Sequence, residues 1–129
     1  MKIDFSSSVP YVPEWRGNQN LPAKEQVKCD LEVLELGDLM SLVDAFSQAG
    51  IGNTAKPEEI QTGAMTPILE KFATILPNHV KNLKGLYDAS GKAVGIEEII
   101  KYPVFLNLGV ELLMKLAELS SPSDEDEKN

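Results

Sequence analysis

Cys29 and His79 are the one cysteine and the one histidine of the chain, and its only candidates for nucleophilic or soft-metal chemistry. A catalytic thiol needs a base within hydrogen-bond reach, most often histidine, and an accessible, electropositive setting that favours the thiolate. Cys29 stands in Val27-Lys28-Cys29-Asp30-Leu31-Glu32-Val33, where Asp30 and Glu32 oppose a thiolate. His79 follows Pro77-Asn78 at what reads as a helix end, a place that mildly favours a cation. Sequence alone leaves a Cys29–His79 pair open, but one thiol and one imidazole are too few ligands for a zinc site. No stretch matches an EF-hand loop. The Asp124-Glu125-Asp126-Glu127 run would attract divalent cations only loosely, because nothing holds it in one geometry. Gly50-Ile51-Gly52 lacks the lysine and the strand–turn–helix context of a phosphate loop. The Glu58-Glu59 and Glu97-Glu98 pairs read as solvated helix starts. The expectation is a protein that is not an enzyme, with no catalytic, cofactor-binding or metal-ligating residues.

Composition narrows the remaining classes. A chain of 129 residues fits one domain with one modest core. Its net charge of −8 disfavours nucleic acid, whose binding is dominated by phosphate neutralisation, and anionic membrane surfaces as well. The longest apolar region, Val104 to Leu119, is interrupted by Asn107, Glu111, Lys115 and Glu118 and falls short of a membrane span. Met1-Lys2-Ile3-Asp4-Phe5 lacks the apolar run of a signal peptide. A single cysteine forms no internal disulfide, which suits a reducing compartment. The protein is expected to stay inside the cell.

The elements that would position any site follow from periodicity. Residues 2–5 alternate weakly, as a short edge strand would. Pro10, Pro13 and Pro22 then argue against a helix or a central strand. Val27, Cys29, Leu31 and Val33 alternate with polar residues, the signature of a half-buried strand with Cys29 as a small core residue. Asp38 is placed to cap a helix whose apolar face holds Leu39, Leu42, Val43 and Phe46 and which stops at Gly50. Pro57-Glu58-Glu59-Ile60 would start a helical turn. Thr66-Pro67 opens a stronger helix, with Ile68, Leu69, Phe72, Ile75 and Leu76 on one face and Pro77 as its end. Asp88-Ala89-Ser90-Gly91 reads as the turn of a hairpin over 80–94. Ile96 to Lys101 forms a helical turn, and a last helix runs from about Val104 to Leu119. Apolar residues cover about 200° of that helix, twice the stripe needed to lie on a sheet, so it is either sandwiched or keeps a face for a partner. Glu111 and Lys115 stand four apart on its polar strip, the favourable order for an ion pair.

The expected fold is therefore α+β: a small antiparallel sheet (the 27–34 strand plus the 80–94 hairpin) packed against helices 38–48, 66–76 and 104–119. Residues 1–119 make one domain, with 1–26 as an extended N-terminal arm. Residues 120–129 hold no apolar side chain and are expected to be a disordered acidic tail.

Tyr11-Val12-Pro13-Glu14-Trp15-Arg16-Gly17-Asn18-Gln19-Asn20-Leu21-Pro22 puts the only tryptophan between prolines and a Gly-Asn turn. It is either an anchor that pins the arm to the core or a docking element, since aromatics and arginine are favoured at interface hot spots. This segment, continuing through Ala23-Lys24-Glu25-Gln26-Val27-Lys28, resembles the opening of the tail assembly chaperones of long-tailed, non-contractile phages. Their N-termini read as a short strand, an aromatic-x-Pro-Glu-aromatic-x-Gly-Asn turn, then Leu-Pro and Glu-Gln before a strand. The later order of helix, turn, apolar last helix and acidic Ser-rich tail is similar too, though only residues 11–28 resemble it closely.

The resemblance implies a chaperone that binds the tape measure protein in the host cytoplasm, keeps it soluble, and leaves before the virion is complete. It also implies a longer form, made by ribosomal frameshifting, that recruits the tail tube protein. Glu127-Lys128-Asn129 is compatible with the codons GAA-AAA-AAC, which contain the slippery heptamer A-AAA-AAC; an A-rich slip site missing from the gene there would remove this expectation. The residues expected to meet the partner are Tyr11, Trp15 and Arg16 in the arm, and Phe105, Leu106, Leu112, Leu113, Leu116 and Leu119 on the last helix. Self-association is a further expectation for a binding protein this rich in apolar residues. Two alternatives stand beside the chaperone: a structural tail or connector subunit, and, more distantly, an acidic mimic of nucleic acid.

Overall fold

A computed structural model describes residues 1–3, 5, 7–50 and 66–121. Three strands, β1 (Ser8–Tyr11), β2 (Lys28–Glu32) and β3 (Val80–Lys84), form an antiparallel sheet in the order β1-β2-β3. Among the described residues four α-helices pack with the sheet in an α+β arrangement: α1 (Leu36–Gln48), α2 (Thr66–His79), α3 (Ile96–Lys101) and α4 (Leu106–Ser120). Short 3-10 turns occupy Trp15–Asn20, Ala23–Glu25 and Pro103–Phe105.

The alternation that marks 27–33 as a strand also fixes which way its residues point. Cys29 and Leu31 are buried and join Val80 in the core, while Lys28, Asp30 and Glu32 line the other face. The register places Tyr11 opposite Cys29 and Val9 opposite Leu31, so both strands present their odd-numbered residues to the helices. Shifting either strand by one residue would exchange core and solvent faces, which holds the register firmly.

Helix α4 is the hub. It packs against α1, α2 and α3 and against the Trp15–Asn20 turn. Leu108, Val110, Leu112, Leu113 and Leu116 are all fully buried. Gly109 lets α2 come close: a Cβ there would lie 2.5 Å from the Phe72 ring. A mid-helix glycine costs about 1 kcal/mol relative to alanine, and here the space is taken by the ring.

Several sequence expectations shift. No strand forms over 2–5 in the described residues; the strand is Ser8–Tyr11 and contains Pro10, which an edge position tolerates. The 1–26 segment thus supplies one strand of the sheet and two 3-10 turns as well as extended chain. The hairpin over 80–94 is not formed as such. Val80–Lys84 pairs with β2, and beyond it the Asp88–Gly91 turn is closed by a Tyr87–Ala93 bridge flanked by the Val94 amide on the Leu86 carbonyl (2.8 Å) and the Asp88 amide on the Lys92 carbonyl (2.9 Å). Asp88 organises that turn internally: its Oδ1 accepts from the Ser90 hydroxyl and from the Ser90 and Lys92 amides, and these bonds, led by the Ser90 hydroxyl, hold its carboxyl below the usual range.

Asp38 does not cap α1. The helix starts one turn earlier, with Glu35 at the N-cap, and Asp38 lies in the first turn. Pro77 does not end α2 but sits within its last turn, and the helix continues to His79. Glu111 and Lys115 do not pair: Lys115 Nζ reaches Glu118 at 3.3 Å, because Glu111 is engaged by the N-terminal segment. Ser120, expected in the tail, is instead the last residue of α4 and accepts from the Leu34 amide; the turn expected at Pro57–Ile60 and the acidic run beyond Ser121 lie outside the described residues.

Candidate functional site

The Tyr11–Lys28 segment folds around Asn18, the one polar residue buried among the described residues. Its Nδ2 donates to the carbonyls of Pro13 (2.8 Å) and Val27 (3.0 Å), and its Oδ1 accepts from the Val27 amide at 2.7 Å. One side chain thereby closes the loop before β2 as a strand neighbour would, which a buried amide must do to offset its desolvation. Gln19 Nε2 donates to the Val12 carbonyl, and Gln26 Nε2 to the carbonyls of Gln19 and Leu21. Reversing the chain requires positive φ at Arg16 (53°) and Gly17 (71°). Glycine adopts this conformation freely. For arginine it is uncommon and persists only where the surroundings enforce it.

That constraint puts Trp15 and Arg16 on one surface. The Trp15 ring lies 5.9 Å from Phe105, tilted by 46°, and the Arg16 guanidinium stands 4.6 Å over the indole. Tyr102 and Val104, at the start of the α3–α4 connection, are exposed beside Phe105 in sequence, and Lys101 lies 5.5 Å over the Tyr102 ring. Tyr11 serves differently. Its hydroxyl and the Glu14 amide both donate to Glu111 Oε2, the latter at 2.7 Å, which fastens the N-terminal segment to α4. Burial, followed by the bond to Glu111, pushes the Tyr11 phenol well above its ordinary range, so it stays a donor.

The nine residues expected to meet a partner therefore separate. Trp15, Arg16 and Phe105 come together at a partly open surface. Tyr11 is a half-buried fastening. Leu106 and Leu119 are half-buried at the two ends of α4. Leu112, Leu113 and Leu116 are 0% exposed; they are core, and as a docking face they are corrected, since presenting them would require opening the domain.

Sequence reasoning missed the apolar side chains that are in the open. Leu36, Met40 and Val43 on α1 are 73, 60 and 45% exposed. Val43, expected on the core face with Leu39 and Leu42, belongs to this outer set. Their spacing of i, i+4 and i+7 aligns them on one side of the helix, while Leu39, Leu42 and Ala45 face inward. The signal was in the sequence as a second apolar arc on α1, masked by the more conspicuous apolar excess of α4.

Nothing in the geometry assembles a reaction centre from Cys29 and His79. Cys29 is buried on β2, and burial, followed by the nearby Asp30 charge, pushes its thiol up to about 12. His79 instead bridges elements: its Nδ1 lies 3.2 Å from the Glu32 carbonyl and its Nε2 lies 3.6 Å from Asp38. Among the described residues, no cluster of three or more His, Cys, Asp or Glu could hold a metal ion, and no helix is long and apolar enough to cross a membrane. A shallow depression of about 130 Å³ on the outer sheet face, lined by residues such as Pro10, Lys28, Asp30 and Lys84, is too small for a typical ligand pocket. Comparison with family models, with curated proteins and with solved structures returned no match.

Proposed function

We propose that this chain is a tail assembly chaperone of a long-tailed, non-contractile phage. It binds the tape measure protein in the host cytoplasm, keeps it soluble, and departs before the particle is complete. A longer, frameshifted form recruits the tail tube protein. The observation that supports this reading is the convergence of the resembling segment with the start of α4: Trp15, Arg16 and Phe105 form one aromatic, cationic surface, with exposed Tyr102 and Val104 next to it in sequence. Aromatic and arginine side chains on a constrained backbone have the character of an interface anchor. An acidic carrier with exposed apolar side chains suits a partner whose own apolar stripes must be kept from aggregating.

Co-expression with the tape measure protein of the same gene cluster tests this. The expected result is a soluble tape measure protein that co-purifies with the chain, and weaker rescue when exposed Arg16 and Val104 both become glutamate. A tape measure protein that stays insoluble beside the wild-type chain would sink the reading. Recovery of the chain from purified virions would replace it with that of a structural tail or connector subunit.

A further inference from the structure

A second surface lies at the other end of α4. Trp15 packs on Phe105, just before that helix begins, whereas the Leu34 amide donates to Ser120 Oγ at its final residue (2.8 Å), so α1 starts beside the far end. The 15 residues of α4 separate the two by roughly 22 Å. Leu36, Met40 and Val43 project there, well exposed and about 10 Å from first to last, two turns of helix. A partner helix laid alongside would meet three apolar side chains in line, the pattern by which amphipathic helices are recognised.

The charge that α1 itself carries says which helix. Glu35 precedes the stripe, Asp44 borders it, and α1 contains no basic residue at all. In the sequence between Lys28 and Lys71 the charged described residues are Asp30, Glu32, Glu35, Asp38, Asp44 and Glu70, of which Asp38 lies 3.6 Å from His79. Arg16, on the first surface, has no basic counterpart on this helix. We infer that the Leu36–Met40–Val43 stripe of α1 is a docking surface for an amphipathic α-helix whose apolar face is flanked by lysine or arginine. Apolar burial supplies the affinity, and the acidic border selects against helices with acidic flanks. The inference rests on the reading of this chain as a binding protein for helical partners, and it concerns a surface separate from Trp15.

The test uses two synthetic amphipathic peptides with the same leucine stripe, one flanked by lysines and one by glutamates, titrated into the full chain at near-physiological salt. The lysine-flanked peptide is expected to bind and the glutamate-flanked one not, with amide resonance shifts concentrated in residues 35–48. Met40→Gln and Val43→Gln, which leave the charge unchanged at exposed positions, are each expected to weaken binding about tenfold. Circular dichroism of both variants confirms that α1 is intact. Equal binding of the two peptides, binding untouched by the glutamine variants, or no binding would each overturn the inference. A dimer in sedimentation that Met40→Gln dissociates would overturn it too, because a second copy would then occupy the stripe. A soluble tape measure protein in co-expression together with failure of the peptide test rejects this surface alone. An insoluble one together with successful peptide binding rejects the phage assignment alone.

Discussion

Helices α1 and α4 each carry apolar residues on more than one arc, yet the second arc is covered in α4 and open in α1. α4 lies between layers, with α1, α2 and α3 on some sides and the Trp15 turn and Tyr11 of β1 on another. Its leucines meet protein in nearly every direction, leaving only a polar strip whose Glu111 is itself used to hold the N-terminal segment. α1 lies at the margin of the fold. Leu39, Leu42 and Ala45 are covered, and Leu36, Met40 and Val43 face outward with nothing over them among the described residues. What decides exposure is the number of layers around a helix; its own composition is a poor guide. A broad apolar face in the middle of a domain is core, while a narrow second stripe at the edge is surface.

The comparison is broken or sharpened by substitutions along the two helices. The largest effect is expected from Leu112→Ala in α4, which should cost about 3–4 kcal/mol in urea unfolding followed by circular dichroism, through lost burial and the cavity left behind. A cost below about 1 kcal/mol would mean that α4 is less enclosed than described. Asn18→Ala comes next, at about 2–3 kcal/mol, because the Val27 amide and the Pro13 and Val27 carbonyls lose their partner where water cannot easily replace it. Gly109→Ala should cost about 1–2 kcal/mol despite the better helix propensity of alanine, since the new methyl meets the Phe72 ring. Combining it with Phe72→Leu should recover part of the loss.

A pH dependence probes the same enclosed region. The Cys29 thiol is held at about 12 against an ordinary 9.0, so the folded state keeps a proton that the unfolded state gives up. This contribution is intact below the unfolded value and is lost as pH rises from about 9 towards about 12, with Tyr11 acting in the same direction. The urea midpoint should therefore fall as the pH is raised through this window, and less steeply in Cys29→Ala. The smallest effect belongs to α1. Met40→Gln and Val43→Gln should change stability by less than about 0.5 kcal/mol, although each weakens peptide binding. A large loss of stability there would show the stripe to be core and remove the contrast.

The parts legible in the sequence are those where one periodicity dominates. The alternation of Val27 to Val33 defined β2 and its faces, and the apolar spacing of Ile68, Phe72, Ile75 and Leu76 defined the buried side of α2, although Leu69, expected on that face, is exposed. What escaped was non-local. Residues 80–84 carry a strand signal, but their partner is β2 rather than the nearer 92–94, because Val80 is needed opposite Leu31 on the core face. The same holds for Glu111: spacing favours Lys115, and only the tertiary fold brings Tyr11 and the Glu14 amide to it. For the candidate surface, the tryptophan and arginine were conspicuous by type in a Pro-rich segment. Phe105 was conspicuous only as one of many apolar residues, and its meeting with Trp15 depends on how the arm is fastened. The α1 stripe was readable in its spacing but not in its exposure, which depends on what packs over it.

The chain has a single tryptophan, and it stands at the seam between the arm and α4, half-buried against Phe105 and beneath Arg16. Its emission therefore reports chiefly on this joint, where the indole packs against the edge of the core. Monitored by fluorescence, denaturation records the arm lifting away; monitored by far-ultraviolet ellipticity, it records the helices melting. Coincident curves would mean that the seam and the interior come apart as one cooperative unit. A fluorescence change at lower denaturant would reveal a state with the arm detached and the helices still in place, exposing the start of α4 without dismantling the domain.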